Sequence, residues 1–190
     1  MPNAWVEFVK AAARRPRDVA TVFPTSPQLA RRLARAASEG PPGPVVELGA
    51  GTGAITRHLR EVSPELVTVE IDPDMAAFLR ARFPEVRVVS AHAEDLRGIV
   101  GRGSAKAVVA SLPWSLLPLA TVDRILAAVH ESLAPGGVFA TYLCVNAAWH
   151  PRARAFTKRV RAHFPDADEG PLEWRNLPPA IVWTARREAG

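Results

Sequence analysis

Val45-Val-Glu-Leu-Gly-Ala-Gly-Thr-Gly53 is a short apolar run that ends in three alternating glycines. The run reads as a buried strand. Glycines at 49, 51 and 53 let the chain turn tightly into a helix while a ligand lies against bare backbone. Turns of this kind often receive a diphosphate at a helix N-terminus. Here Glu47 stands just before the first glycine, where a carboxylate suits a cationic ligand end better than a diphosphate. A glycine pattern alone is weak evidence, so its surroundings carry the reading.

The next strand ends in Val69-Glu-Ile-Asp-Pro73. Glu70, 23 residues after Glu47, stands where an acid accepts both hydroxyls of a ribose. Ile71 is placed to pack on an adenine face. Asp72 reads as the N-cap of a helix opening at Pro73. A third strand leads into Ser90-Ala-His-Ala-Glu-Asp95, whose backbone and acids are candidates to read the adenine edge. Strands are predicted near Val45–Leu48, Leu66–Glu70, Val86–Ser90, Ala107–Ser111 and Gly137–Leu143. Helices are predicted near Gly53–Val62, Pro73–Arg82, Leu119–Leu133 and Arg152–His163, with two short strands, Leu172–Arg175 and Ala180–Ala185, at the end. Alternation of strand and helix marks a parallel sheet with crossover helices.

At 190 residues the chain suits one α/β domain and is short for two. Its 48% hydrophobic and 23% charged residues fit a globular protein. No run approaches the roughly 20 apolar residues of a membrane span. No signal peptide is apparent either, so a cytoplasmic protein is expected. The single cysteine, Cys144, excludes an internal disulfide and a cysteine-rich zinc site, and no metal is expected.

Charge is uneven: residues 1–35 hold seven Lys/Arg against Glu7 and Asp18, which accounts for the whole net charge of +5. Trp5, Phe8, Val9 and Ala12 recur at helical spacing over residues 3–13, predicting an amphipathic helix. Pro24 then breaks the chain, and Thr25-Ser26-Pro27 caps a second helix to Ser38. Gly40-Pro-Pro-Gly-Pro44 is a turn-rich connector. The expected division is therefore a basic helical arm or lid over residues 1–40 and a ligand-binding domain over 41–190. A basic segment of this kind faces either an anionic partner or plain solvent.

The glycine turn, Val69-Glu-Ile-Asp-Pro-Asp-Met75 and His92-Ala-Glu-Asp-Leu96 resemble motifs of class I S-adenosylmethionine-dependent methyltransferases, in order and spacing, over about residues 45 to 143. The resemblance implies a Rossmann-like α/β fold: a seven-stranded mixed sheet with helices on both faces. The implied cofactor is S-adenosyl-L-methionine, with S-adenosyl-L-homocysteine as product. It assigns Glu47, Gly49, Gly51 and Gly53 to the methionine part, Glu70 to the ribose and Ala93 and Glu94 to the adenine, and Ala50, Ile71 and Ser111 complete the expected cofactor site. Where the family often has an acid, this chain has His92, which leaves the adenine amino group to Glu94 or to backbone alone.

Members of this class that methylate adenine or glutamine nitrogen commonly carry Asn/Asp-Pro-Pro-Tyr after the fourth strand. This chain has Ser111-Leu-Pro-Trp-Ser115, which argues against a nucleic-acid base. Pro113 and Trp114 are the candidate substrate contacts, Trp114 as a cover for a small cation or ring. Val22-Phe-Pro-Thr-Ser-Pro27, Leu29-Ala-Arg-Arg-Leu33, Ser111-Leu-Pro113 and Asn176-Leu-Pro-Pro-Ala180 resemble the bacterial phospholipid N-methyltransferases. By that resemblance the acceptor is the amine of a phosphatidylethanolamine-type lipid and the arm meets an anionic membrane, so the enzyme would be peripheral on the inner face of the cell membrane. Basic and aromatic residues suit such an interfacial helix.

An activated sulfonium needs only an aligned nucleophile and exclusion of water. Tyr142, at the end of the fifth strand, is a candidate hydrogen-bond acceptor for the amine, or else an ordinary core-edge tyrosine. Asn176 supplies a carbonyl acceptor or shapes a turn. The rival functions are an rRNA adenine or small-molecule N-methyltransferase, with nucleic acid the second-ranked partner, and a cofactor-binding protein without catalysis.

Overall fold

The computed structural model describes residues 25–145 and 151–188. The amphipathic helix expected over residues 3–13, with Trp5 and Phe8, lies outside them.

The elements run α1 (Pro27–Ser38), β1 (Val45–Leu48), α2 (Thr56–Val62), β2 (Leu66–Glu70), α3 (Pro73–Arg82), β3 (Arg87–Ser90), a 3₁₀ turn (Ala93–Asp95), α4 (Leu96–Val100), β4 (Ala105–Ala110), α5 (Leu119–Ser132), β5 (Leu133–Cys144), α6 (Pro151–His163), β6 (Asp168–Glu173) and β7 (Ala180–Arg186). One seven-stranded sheet has the order β3-β2-β1-β4-β5-β7-β6. β1 pairs in parallel with both β2 and β4, and β7 runs antiparallel to β5 and β6. This is the Rossmann-like mixed sheet expected from the sequence.

Both faces are covered, and alternation along the strands decides which residue goes where. Val45, Ala107, Val109, Val138 and Ala140 pack with Leu29, Leu33, Leu59 and Leu79 of α1, α2 and α3. Val46, Leu48, Val108, Ala110 and Phe139 pack with Val122, Ile125, Leu126, Phe156 and Val160 of α5 and α6. A strand buried on both sides is mostly apolar, and β1 and β4 are so apart from Glu47 and Lys106. α3 starts as expected, with Asp72 accepting from the N–H groups of Asp74 and Met75 at 2.8 and 3.2 Å and Pro73 in the first turn.

Three expectations are corrected. α2 begins at Thr56 rather than Gly53, because Gly53 has φ +82° and no right-handed helix passes through that conformation. β6 is Asp168–Glu173 rather than Leu172–Arg175: the edge strand pairs with β7 through backbone groups and carries no apolar alternation. Helix α1 is not part of an arm. Leu29, Ala30, Leu33 and Ala37 are fully buried against the sheet, so a boundary at residue 40 cuts through the domain's own core.

Candidate active site

Strand order reverses around β1, and in open α/β sheets the crevice at such a switch point receives the ligand. Glu47 to Gly53 stand there, at the carboxyl end of β1. The Glu70 carboxylate, at the end of β2, accepts the Gly51 N–H at 2.9 Å and the Asp72 N–H at 3.0 Å. It therefore fixes the glycine turn while keeping lone pairs for two further donors.

The glycines divide their work. A Cβ on Gly49 would lie 2.8 Å from Leu112 Cδ2, and one on Gly53 2.4 Å from the Phe83 ring. Protein fills those two sides. A Cβ on Gly51 would meet nothing within 4 Å, so this glycine leaves an open surface beside the Glu70 carboxylate.

Glu47 is fully buried. Its Oε2 accepts from Thr56 Oγ1 at 2.6 Å and Thr68 Oγ1 at 3.3 Å, whereas Oε1 has no partner among the described residues. Loss of solvent pushes its pKa up from the ordinary carboxylate range to about 7, with the Glu70 charge adding to the rise and the two threonine hydroxyls opposing it. A buried carboxylate oxygen without a donor is costly, and a cationic ligand group beside it removes that cost. The open face at Gly51, the Glu70 acceptor and this unpartnered oxygen suit a ligand with a ribose and an ammonium.

Further along the sheet edge, Ile71 is half-buried behind Glu70, and Ala50 is buried in the turn. Ala93 and Glu94 lie in the 3₁₀ turn. Arg124 of α5 holds the Glu94 carboxylate in an ion pair, so a ligand in this crevice meets the turn's backbone more readily than that carboxylate.

A second polar cluster lies beyond β4. Ser111 Oγ is 3.0 Å from Tyr142 Oη, and Tyr142 Oη is 3.2 Å from Thr25 Oγ1. Asn176 Oδ1 accepts the Ser26 N–H at 2.9 Å while its Nδ2 donates to the Pro178 carbonyl at 2.7 Å. The structure thus brings Ser111, Tyr142 and Asn176 to one rim and adds Thr25, which the sequence presented only as part of a helix cap. No local pattern pairs Thr25 with a residue 117 positions away. Burial raises the Tyr142 pKa above its ordinary value against the pull of the Ser111 and Thr25 hydroxyls, so it is a neutral phenol at physiological pH.

Trp114 is a correction. It is 1% exposed, its indole N–H donates to Thr141 Oγ1 at 2.7 Å, and its ring stacks on Phe156 at 4.6 Å. It is a pillar of the core, enclosed where the expected substrate contact needs an open face. Pro113 opens the turn that contains it, with its carbonyl accepting the Leu116 N–H at 2.8 Å.

Residues 45–137 match a family model described as a methyltransferase domain. The chain is 33% identical over 177 residues to an ornithine lipid N-methyltransferase of Singulisphaera acidiphila, covering 88% of each protein. The chain belongs to the class I S-adenosylmethionine-dependent methyltransferases.

This methyltransferase also matches the ribosomal RNA small subunit methyltransferase A of Acidithiobacillus ferrooxidans at 36% identity, over 50% of its own length and 37% of that protein. Its fold superposes on the 1,6-didemethyltoxoflavin-N1-methyltransferase of Burkholderia thailandensis, solved with S-adenosylhomocysteine, with TM-score 0.71 and 19% identity over 97% of this chain and 87% of that one. The N-methyltransferase NodS of Bradyrhizobium japonicum gives TM-score 0.67 at 15% identity, covering 85% and 95%. S-adenosylmethionine is the cofactor of this enzyme. Among the described residues, no helix is long and apolar enough to cross a membrane.

Proposed function

We propose that this methyltransferase transfers methyl from S-adenosylmethionine to the primary amine of a membrane lipid of the phosphatidylethanolamine type. The carrying observation is the rim of Thr25, Ser111, Tyr142 and Asn176, which lies past the glycine turn at the ends of β4 and β5. The similarity to an ornithine lipid enzyme over 88% of the chain supports a lipid amine over an RNA base, whose relatives match only half of it.

In this reading Glu70 takes the ribose hydroxyls, Gly51 offers its open face and Glu47 balances the ammonium of the cofactor. Ala93 and Glu94 line the adenine side through their backbone. When bound, the cofactor supplies the electrophilic methyl. The chain's own task is to present a neutral amine with its lone pair aimed at that methyl. A phenol has one proton to donate and two lone pairs. With Ser111 and Thr25 as its two hydroxyl neighbours, Tyr142 Oη keeps one acceptor position for an amine N–H, and Asn176 holds Ser26 and hence Thr25 in place. The proton lost by the ammonium passes to solvent, because a neutral phenol is no base at this pH. The basic segment over residues 1–24 is assigned to an anionic membrane surface, which makes the enzyme peripheral on the inner face of the cell membrane.

The test is transfer of labelled methyl from S-adenosylmethionine to vesicles containing phosphatidylethanolamine, with ornithine lipid and ribosomal RNA as parallel acceptors. Label in mono- and dimethylated phosphatidylethanolamine, lost in Glu70→Ala and reduced on deleting residues 1–16, is the expected result. Label only in ornithine lipid would move the acceptor within the lipid class, and label only in RNA would overturn the reading.

A further inference from the structure

The loop joining β6 to β7, Trp174 to Pro179, carries two of the three large apolar side chains that stand exposed among the described residues. Trp174 is 75% and Leu177 64% exposed, while Asn176 between them is 4% exposed. The loop's own bonds fix this arrangement. Asn176 Nδ2 donates to the Pro178 carbonyl at 2.7 Å, and the Arg175 N–H donates to Glu173 Oε1 at 3.1 Å. The buried amide that turns Trp174 and Leu177 outward is the same one that accepts Ser26 N–H at the rim of the active site. Apolar anchors and catalytic rim are therefore built on one loop.

Charge around the loop is divided: β6, which leads into it, carries Asp168, Glu169 and Glu173, while the neighbouring α1 is basic. α1 holds Arg31, Arg32 and Arg35 and no acid from Pro27 to Ser38, and the Arg32 guanidinium donates to the Pro171 carbonyl at 2.6 Å, tying that helix to the strand that leads into the loop. Arg175 sits exposed between the anchors. An indole, an aliphatic side chain and the Arg175 guanidinium on one loop match the layered chemistry of a bilayer interface: acyl chains below, anionic head groups above.

We propose that the Trp174–Leu177 loop inserts into the surface of an anionic lipid bilayer, with the α1 arginines resting on its head groups. The inference rests on the lipid-amine reading for its purpose, since a head-group amine lies within a few bonds of its acyl chains. Whatever borders its binding site must then meet the bilayer. The loop places the mouth against the membrane, so that the head group enters while the chains stay in the lipid.

The experiment uses the full chain and vesicles of phosphatidylethanolamine and phosphatidylglycerol. The double variant Trp174→Ser with Leu177→Ser changes only exposed side chains and leaves the fold intact by circular dichroism. It is expected to lower vesicle co-sedimentation roughly tenfold. Acyl chains brominated near the glycerol should quench part of the native tryptophan emission, and Trp174→Phe should remove that part. Turnover should fall on vesicles yet stay at the native level on a short-chain phosphatidylethanolamine dispersed as monomers. Native-level co-sedimentation of the double variant would overturn the proposal. So would emission from Trp174 that is already blue-shifted without lipid and untouched by bromine, the sign that residues 1–24 cover it. Loss of binding to RNA but not to vesicles would overturn it in favour of a stacked base. Failure of native turnover on the short-chain lipid would instead count against the acceptor assignment, while the vesicle measurement would still decide the loop.

Discussion

Gly51 and Gly53 both take left-handed backbone, with φ +51° and +82°, yet a methyl group added to each meets a different fate. Gly53→Ala drives Cβ into the Phe83 ring and should cost about 2–5 kcal/mol of stability, backbone strain plus overpacking. Gly51→Ala meets no protein atom and should cost only ~1–2 kcal/mol. Its binding of S-adenosylhomocysteine should nevertheless fall by about tenfold or more, near 1.4 kcal/mol. Melting curves set beside titration calorimetry separate the two. Glu47 makes a pH prediction. Its folded pKa, about 7, lies above its unfolded value, so the folded state holds the extra proton. Stability without cofactor should therefore fall as pH rises from about 4.5 to 7 and level off above, by at most ~3 kcal/mol. Glu47→Gln should flatten that slope in urea titrations run across this range. Trp114→Phe tests the correction: Thr141 loses its indole donor, costing about 1–3 kcal/mol, while KM for the acceptor stays unchanged. Gly51 and Glu70 could be picked out of the sequence because turn and strand-end rules bring them together over 19 residues. Thr25 was not, since its role is defined only by what folding lays beside it.

Among the elements, α1 was readable in extent but not in place. Its apolar stripe of Leu29, Leu33 and Ala37 states that one face is buried and is silent on what buries it. The sheet does so, and Leu33→Ala should lower the unfolding free energy by about 2–5 kcal/mol in chemical denaturation, as for any core leucine. A freestanding arm would lose almost nothing. α3 matched its expected span because Asp72 and Pro73 mark its start in the sequence itself. β6 escaped because an exposed edge strand needs no apolar pattern, and α4, at five residues, is too short to show a helical period. β5 starts at Leu133, earlier than its apolar run, since Leu133 pairs with Ala105 ahead of an irregularity in the ladder.

For the whole molecule, the net charge of +5 is placed rather than spread, with every excess cation in the first 35 residues. Vesicle binding should therefore weaken as salt shortens the Debye length from about 10 Å to about 3 Å, and a residual part carried by Trp174 and Leu177 should persist. Co-sedimentation across that salt series checks both parts. The antiparallel β7, slotted between β5 and β6, carries a consequence for biosynthesis. The contact that shapes the donor pocket, Gly51 to Glu70, spans 19 residues, whereas Ser26 reaches Asn176 across 150. A chain leaving the ribosome has Gly51 and Glu70 long before it has Asn176. On the lipid-amine reading, β7 works as a licence: until it threads into the sheet, the nascent protein holds the means to grip its methyl donor and no place to spend it.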